Sequence, residues 1–163
     1  MIETNLLCEG SFLIERLNLL IHIFLFTSVL GSCLYLVKQN LFLWGVVVMF
    51  FTTYFAQVRR LDPKKSNLVS IARYTPKGFP GRIYLPLAPS PSLLSYVKRT
   101  GDEEGYTKRF KAYLETLDVH KVAKDLKDGA ILVCYETPGK FCHRHLVADW
   151  LREAGYKVCE LKW

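Results

Sequence analysis

Several features that identify common classes of protein are missing from this sequence. It contains no Arg/Lys tract with interleaved aromatic residues and no recognised nucleic-acid motif, so a net charge of +7 indicates affinity for anions without singling out nucleic acid. The five cysteines are odd in number and their spacing fits no disulfide framework. A reducing compartment is therefore the simpler interpretation.

Charge is nearly missing from the first third of the chain. Residues 17–37 contain no Lys, Arg, Asp or Glu, and a helix of that length, at ~1.5 Å per residue, crosses a bilayer core of ~30 Å. A secretory signal peptide is disfavoured because Glu3, Glu9 and Glu15 precede the run where a basic region is expected. The sequence thus predicts an apolar N-terminal segment, residues 1–48, with a candidate transmembrane helix at 17–37.

Three interpretations of this segment stay open. It is a genuine membrane anchor, a buried helix of a soluble protein, or an upstream extension of a chain whose translation starts at Met49. For a genuine anchor, a cluster of basic residues places residues 49–163 on the cytoplasmic side; the cluster consists of Arg59, Arg60, Lys64 and Lys65.

Residues 49–163 have the pattern of an α/β domain. Short apolar runs predict strands at 50–55, 68–73, 130–136 and 157–161. Amphipathic stretches between them predict helices, with cap residues at Ser90 and Asp118. Residues 74–91 are rich in proline and predict a loop without regular elements. Strands that alternate with helices favour a Rossmann-like, layered domain with a mainly parallel sheet.

Reactive side chains are crowded into one predicted strand-to-helix turn, within "LVCYETPGKFCHRHLVADWL". Ligands of such sheets bind where strands end and helices begin, and a helix N-terminus favours anions and lowers the pKa of a nearby cysteine. We expect Cys142 to act as nucleophile, with His143 or Glu136 as acid or base. Arg144 is the strongest candidate for binding a phosphate or carboxylate.

Two further residues are candidates for the same site. Cys134 ends the apolar strand, and Arg73 ends another predicted strand that approaches the same edge of the sheet. Each candidate also has a structural interpretation: Cys134 as a packed core residue, His143 as a helix cap, and Glu136 as a partner of Lys140. Whether Cys142 is catalytic or structural stays open.

A metal site is a weaker alternative for the same side chains. Cys134, Cys142, His143 and His145 can supply zinc ligands, but their spacing matches none of the familiar zinc patterns. The phosphate loop of Cys-based phosphatases is not matched either, because Arg144 follows Cys142 by only two residues. We therefore predict no metal, and the residues identify no cofactor.

Three segments, "SIARYTPKGF", "YTKRFKAYL" and "AILVCYETPGKFCHRHLVADWL", together resemble the domain-of-unknown-function family 488 over about residues 50–163. Its hallmark is a strand that ends in Cys-x-Glu, here Cys134 and Glu136, followed by Cys-His-Arg at a helix start. Arg73 matches the arginine after an early strand, where many relatives have Asp-Val-Arg. Ile71-Ala72 replaces Asp-Val here, so any role of that acid is missing.

The resemblance implies a compact, Rossmann-like α/β domain without a settled reaction. One hypothesis is an enzyme-like site that binds an anionic small molecule or nucleotide through Arg144 and Arg73. The other is a binding module without chemistry, for a nucleotide, nucleic acid or protein. Either version is membrane-tethered if residues 17–37 form an anchor.

Overall fold

Residues 48–161 are described in this computed structural model, and they belong to one compact unit. The predicted apolar segment and its candidate transmembrane helix at 17–37 lie outside the described residues. Within the described part of the chain, no helix has the length and apolar character needed to cross a membrane.

A five-stranded sheet forms the centre of the domain. Its strands are β1 (Met49–Tyr54), β2 (Asn67–Ser70), β3 (Arg82–Ile83), β4 (Ala130–Cys134) and β5 (Lys157–Glu160). They lie in the order β3-β2-β4-β1-β5, and every neighbouring pair is parallel. The predicted α/β class is confirmed, and the carboxyl ends of all five strands lie at one edge of the sheet.

Five α-helices connect or follow the strands: α1 (Phe55–Val58), α2 (Pro91–Thr100), α3 (Glu103–Leu114), α4 (Val119–Leu126) and α5 (His143–Glu153). The predicted caps are confirmed. Ser90 Oγ accepts a hydrogen bond from Leu93 N at the start of α2. Asp118 Oδ1 accepts from His120 N and Lys121 N at the start of α4. These side chains satisfy backbone donors that have no partner inside the helix.

The two faces of the sheet carry cores of different size. Alternate residues of a strand point to opposite faces, so Leu132 and Cys134 enter the larger core while Ile131 and Val133 enter the smaller one. The larger core also contains Phe110 of α3 and Leu151 of α5. All residues of β4 are buried, as expected of a strand that is covered on both faces.

Several predicted bounds were wrong. The strand predicted at 130–136 ends at Cys134. The strand predicted at 68–73 ends at Ser70, although Ile71 N still donates to the Val133 carbonyl at 3.1 Å. The segment 74–91 contains β3 and a 3₁₀ helix (Leu85–Leu87). β3 forms because the short stretch Arg82–Ile83 pairs with β2, between prolines that cannot donate to a strand.

Candidate functional site

Cys134, Cys142 and His143 come together at the carboxyl edge of the sheet. Cys134 is the last residue of β4, Cys142 is the N-cap of α5, and His143 is the first residue of that helix. The two sulfur atoms and a ring nitrogen of His143 all lie within 4.8 Å of one another. The three residues are at most 7% exposed. The predicted strand-to-helix turn therefore assembles a buried cluster of two thiols and an imidazole.

The imidazole of His143 is held in a defined orientation. Its Nε2 lies 2.9 Å from the carbonyl oxygen of Ile71, and because a carbonyl only accepts, Nε2 carries the proton in this bond. Nδ1 is the ring nitrogen nearer to Cys134 Sγ, at 3.5 Å, and Nε2 is 3.9 Å from the same sulfur. The ring of Phe110 packs edge-on against the imidazole, with 5.5 Å between centroids. The loop after β2 thus fixes the histidine ring beside the two thiols.

The two cysteines have opposite electrostatic surroundings. The pKa of Cys142 is lowered, first because the Cys134 thiol donates to its sulfur, and further because His143 and the backbone N–H of Arg144 favour the thiolate; burial opposes these effects. The pKa of Cys134 is raised, mainly by the same contact with Cys142 and by burial. The contact thus favours negative charge on Cys142, and so does the helix N-terminus at which Cys142 lies.

A cavity of about 510 Å³ opens onto this cluster. We call it the thiol cavity. Its wall contains both cysteines and His143, together with an apolar and aromatic lining that includes Leu94, Val97, Tyr106 and Phe141. The volume lies in the range of small-molecule sites, which combine an apolar wall with a few polar groups. The two buried cysteines thus form part of the wall of a cavity of small-molecule size.

Charged side chains of both signs line the thiol cavity. Arg73 and Lys98 supply positive charge, and Glu136 supplies a carboxylate. Arg73 is partly buried and fixed, because its Nε donates to the Pro89 carbonyl at 2.8 Å. Lys98 and Glu136 are exposed. No ion pair joins Glu136 to Lys140 in the part of the chain that the structure describes.

Arg144 lies behind the cavity wall. Its side chain is fully buried, and Nη2 contacts Glu160 Oε1 at 2.7 Å. Nη1 donates to the backbone carbonyl of Glu136. The guanidinium thus connects the loop after β4 to the end of β5, and it does not line the thiol cavity. The predicted binding role of Arg144 stays a prediction, but each of its three guanidinium nitrogens already donates to Glu160 or to the Glu136 carbonyl.

The cluster of Cys134, Cys142 and His143 has a suitable composition for binding a metal ion. His145, the fourth residue of the zinc alternative, is not part of this group. Cys134 Sγ lies 3.5 Å from Nδ1 and 3.9 Å from Nε2 of His143, which places the sulfur beside the ring. As placed, the ring does not direct Nδ1 at Cys134 Sγ, so these residues would hold a metal only after the ring turned. The prediction of no metal stays a prediction.

Some residues of the site were missed by sequence reasoning. Glu160 ends β5 at the same edge as Cys134, so the rule that strand ends share an edge could have found it. Lys98 and the carbonyl of Ile71 gave no signal, because a solvent-facing helix lysine and a backbone group have no distinguishing sequence pattern.

Comparison with known proteins gives a family and no individual relative. No curated protein and no solved structure matches the chain. The family model DUF488-N3a, described as the active DUF488-N3 subclade, matches residues 53–155. These residues include β2, the turn with both cysteines, and all of α5. Because the match covers more than half of the sequence, this chain belongs to the domain-of-unknown-function family 488, within that subclade.

Proposed function

We propose that the thiol cavity is an enzyme site in which Cys142 is the nucleophile and Arg73 and Lys98 bind an anionic group of the ligand. The observation that carries this proposal is the position of Cys142, at a helix N-terminus and within a cluster that includes an oriented imidazole. An adjacent base and a helix N-terminus are two recognised ways to activate a cysteine. The word "active" in the subclade's description agrees with this proposal.

In this proposal His143 moves each proton of the reaction. The Cys142 proton passes to Nδ1 of His143, and the thiolate attacks an electrophilic carbon of the ligand. An S–C bond forms while the bond from that carbon to the leaving group breaks, and the leaving group departs with the electron pair and takes the proton from His143. Water then displaces the Cys142 thiolate, and His143 accepts the proton that the water loses.

Arg73 is the main anion-binding group in this proposal. Two backbone carbonyls, of Pro89 and Ala88, hold its Nε and Nη2 and fix the guanidinium at the cavity wall. A fixed guanidinium loses little conformational entropy when it binds a phosphate or carboxylate. Glu136 provides a second acid or base at the cavity, and the Arg144 contact with its carbonyl fixes the backbone of the loop that carries it.

Protection of Cys142 from alkylation tests this function. Purified full chain is treated with iodoacetamide at pH 7, with and without inorganic phosphate, and peptide mapping separates Cys142 from Cys134 and Cys159. We expect Cys142 to be alkylated first and phosphate to slow that reaction. Arg73→Gln should raise the phosphate concentration needed for half protection about tenfold, because a charge-assisted hydrogen bond contributes about 1.5–3 kcal/mol.

Arg99→Gln is the matched control, since Arg99 is an exposed arginine of α2 that does not line the thiol cavity. It should leave the protection by phosphate unchanged. If phosphate does not protect Cys142, or if both variants weaken protection equally, the anion-binding part of the proposal is wrong. If Cys142 reacts no faster than Cys159, the assignment of Cys142 as the nucleophile is wrong.

A further inference from the structure

A second cavity of about 340 Å³ shares Arg73 with the thiol cavity. We call it the arginine cavity, because Arg73 and Arg109 both line it. Its polar wall also contains the hydroxyl groups of Ser90 and Ser92. No carboxylate belongs to the lining, so the two positive charges are not neutralised at the cavity surface.

Arg109 is held in place as Arg73 is, although by a different contact. Its guanidinium carbon lies 4.0 Å from the ring centroid of Tyr96, a cation–π contact that orients the planar group. Asp102, which interacts electrostatically with Arg109, accepts hydrogen bonds from Tyr96 Oη and Gly105 N. No ion pair of Arg73 or Arg109 occurs within residues 48–161. Two oriented guanidinium groups thus face one cavity without an acidic partner.

The thiol cavity offers exposed aromatic surface beside the shared arginine. Tyr74 is 66% exposed and Tyr135 is 50% exposed, and both line the cavity. The hydroxyl of Tyr135 donates to the Tyr74 carbonyl at 2.7 Å, which fixes the two residues relative to each other. Exposed tyrosine rings next to cationic groups suit a ligand that has a planar base and phosphate groups.

We propose that the arginine cavity is a second phosphate subsite, and that the ligand of the thiol cavity is a nucleotide with two phosphate groups. Arg73 lies between the subsites and contacts the ligand from both sides. One phosphate binds at Arg73 and Lys98, and the other binds at Arg109 and the serine hydroxyls. This proposal rests on the proposed function for its first subsite, whereas the second subsite has residues and a test of its own.

The test compares a nucleoside bisphosphate with a monophosphate. Binding of adenosine 3′,5′-bisphosphate and of adenosine 5′-monophosphate to the purified full chain is measured by titration calorimetry. We expect the bisphosphate to bind at least about tenfold more tightly, since the second phosphate adds charge-assisted hydrogen bonds. Arg109→Gln should remove most of this difference and leave the affinity for the monophosphate unchanged, while the exposed-residue control Arg99→Gln should preserve both affinities.

Equal affinities for the two compounds in the unaltered chain would overturn the second subsite. An Arg109→Gln variant that keeps the full preference for the bisphosphate would also overturn it. So would a variant in which the affinities for both compounds fall equally. Failure of the proposed function looks different: the preference for the bisphosphate persists and depends on Arg109, but Cys142 shows neither fast alkylation nor protection by phosphate.

Discussion

Cys134 and Cys142 show how position alone separates two identical side chains. Both side chains belong to the larger core, but Cys134 ends a strand whereas Cys142 is the N-cap residue of a helix. Only Cys142 therefore lies among the free N–H groups of a helix N-terminus, where a negative charge is favoured. The mutual contact then raises the pKa of Cys134 and lowers that of Cys142.

Replacement of Cys134 tests, at the residue scale, whether its thiol lowers the pKa of Cys142. Cys134→Ala removes the donor that contributes most to the low pKa of Cys142, so the midpoint of the pH profile of Cys142 alkylation should move to higher pH. Cys134→Ser retains a hydroxyl donor and should leave the midpoint much closer to that of the unaltered chain. Midpoints that are the same in both variants would contradict the role of Cys134.

The sequence allowed most of these residues to be named but not their arrangement. Cys134, Glu136, Cys142 and His143 were predicted from the turn that carries them, and the structure brings all four to one cavity. Arg144 was predicted to bind an anion because it lies near a helix start. The contacts that occupy its guanidinium come from residues far along the chain or from a backbone carbonyl, and local pattern reveals neither.

At the scale of elements, the Arg144–Glu160 ion pair joins three pieces of the fold. Arg144 belongs to α5, Glu160 ends β5, and the Glu136 carbonyl belongs to the loop after β4. The guanidinium is fully buried while the Glu160 side chain is 20% exposed. Removing one partner of such a pair leaves a buried charge without compensation, which costs more than the pair itself contributes.

Glu160→Ala should therefore lower the free energy of unfolding by about 2–4 kcal/mol. Asp149→Ala is the matched control, because it breaks the Arg152–Asp149 pair, in which both side chains are about half exposed. The control should cost less than about 1 kcal/mol. Urea unfolding of the full chain measures both, and equal losses would show that burial does not decide the energy of the Arg144 pair.

Element types were easier to predict than element ends. The continuous apolar run of β4 and the caps Ser90 and Asp118 gave strong local signals, and all are confirmed. The end of β2 and the existence of β3 depend on pairing between strands that are distant in sequence. Local composition, here dominated by proline, does not reveal such pairing.

At the scale of the whole molecule, the parallel sheet determines where chemistry is concentrated. Residues that follow β2 and β4 lie far apart in sequence, yet Arg73, Cys134 and Glu136 line one cavity because the carboxyl ends of both strands meet at one edge. The positive charge of the chain suits an anionic ligand. The order of the strands could not be predicted from the sequence, because it depends on long-range packing.

The pH dependence of Cys142 alkylation tests the central claim most directly. The full chain is treated with iodoacetamide between pH 4 and 10, and peptide mapping follows each cysteine separately. We predict that Cys142 reacts with an apparent pKa well below the ~8.5 of an ordinary thiol, while Cys134 stays unreactive until much higher pH. An apparent pKa of Cys142 at or above ~8.5 would contradict an activated thiolate at the base of the thiol cavity.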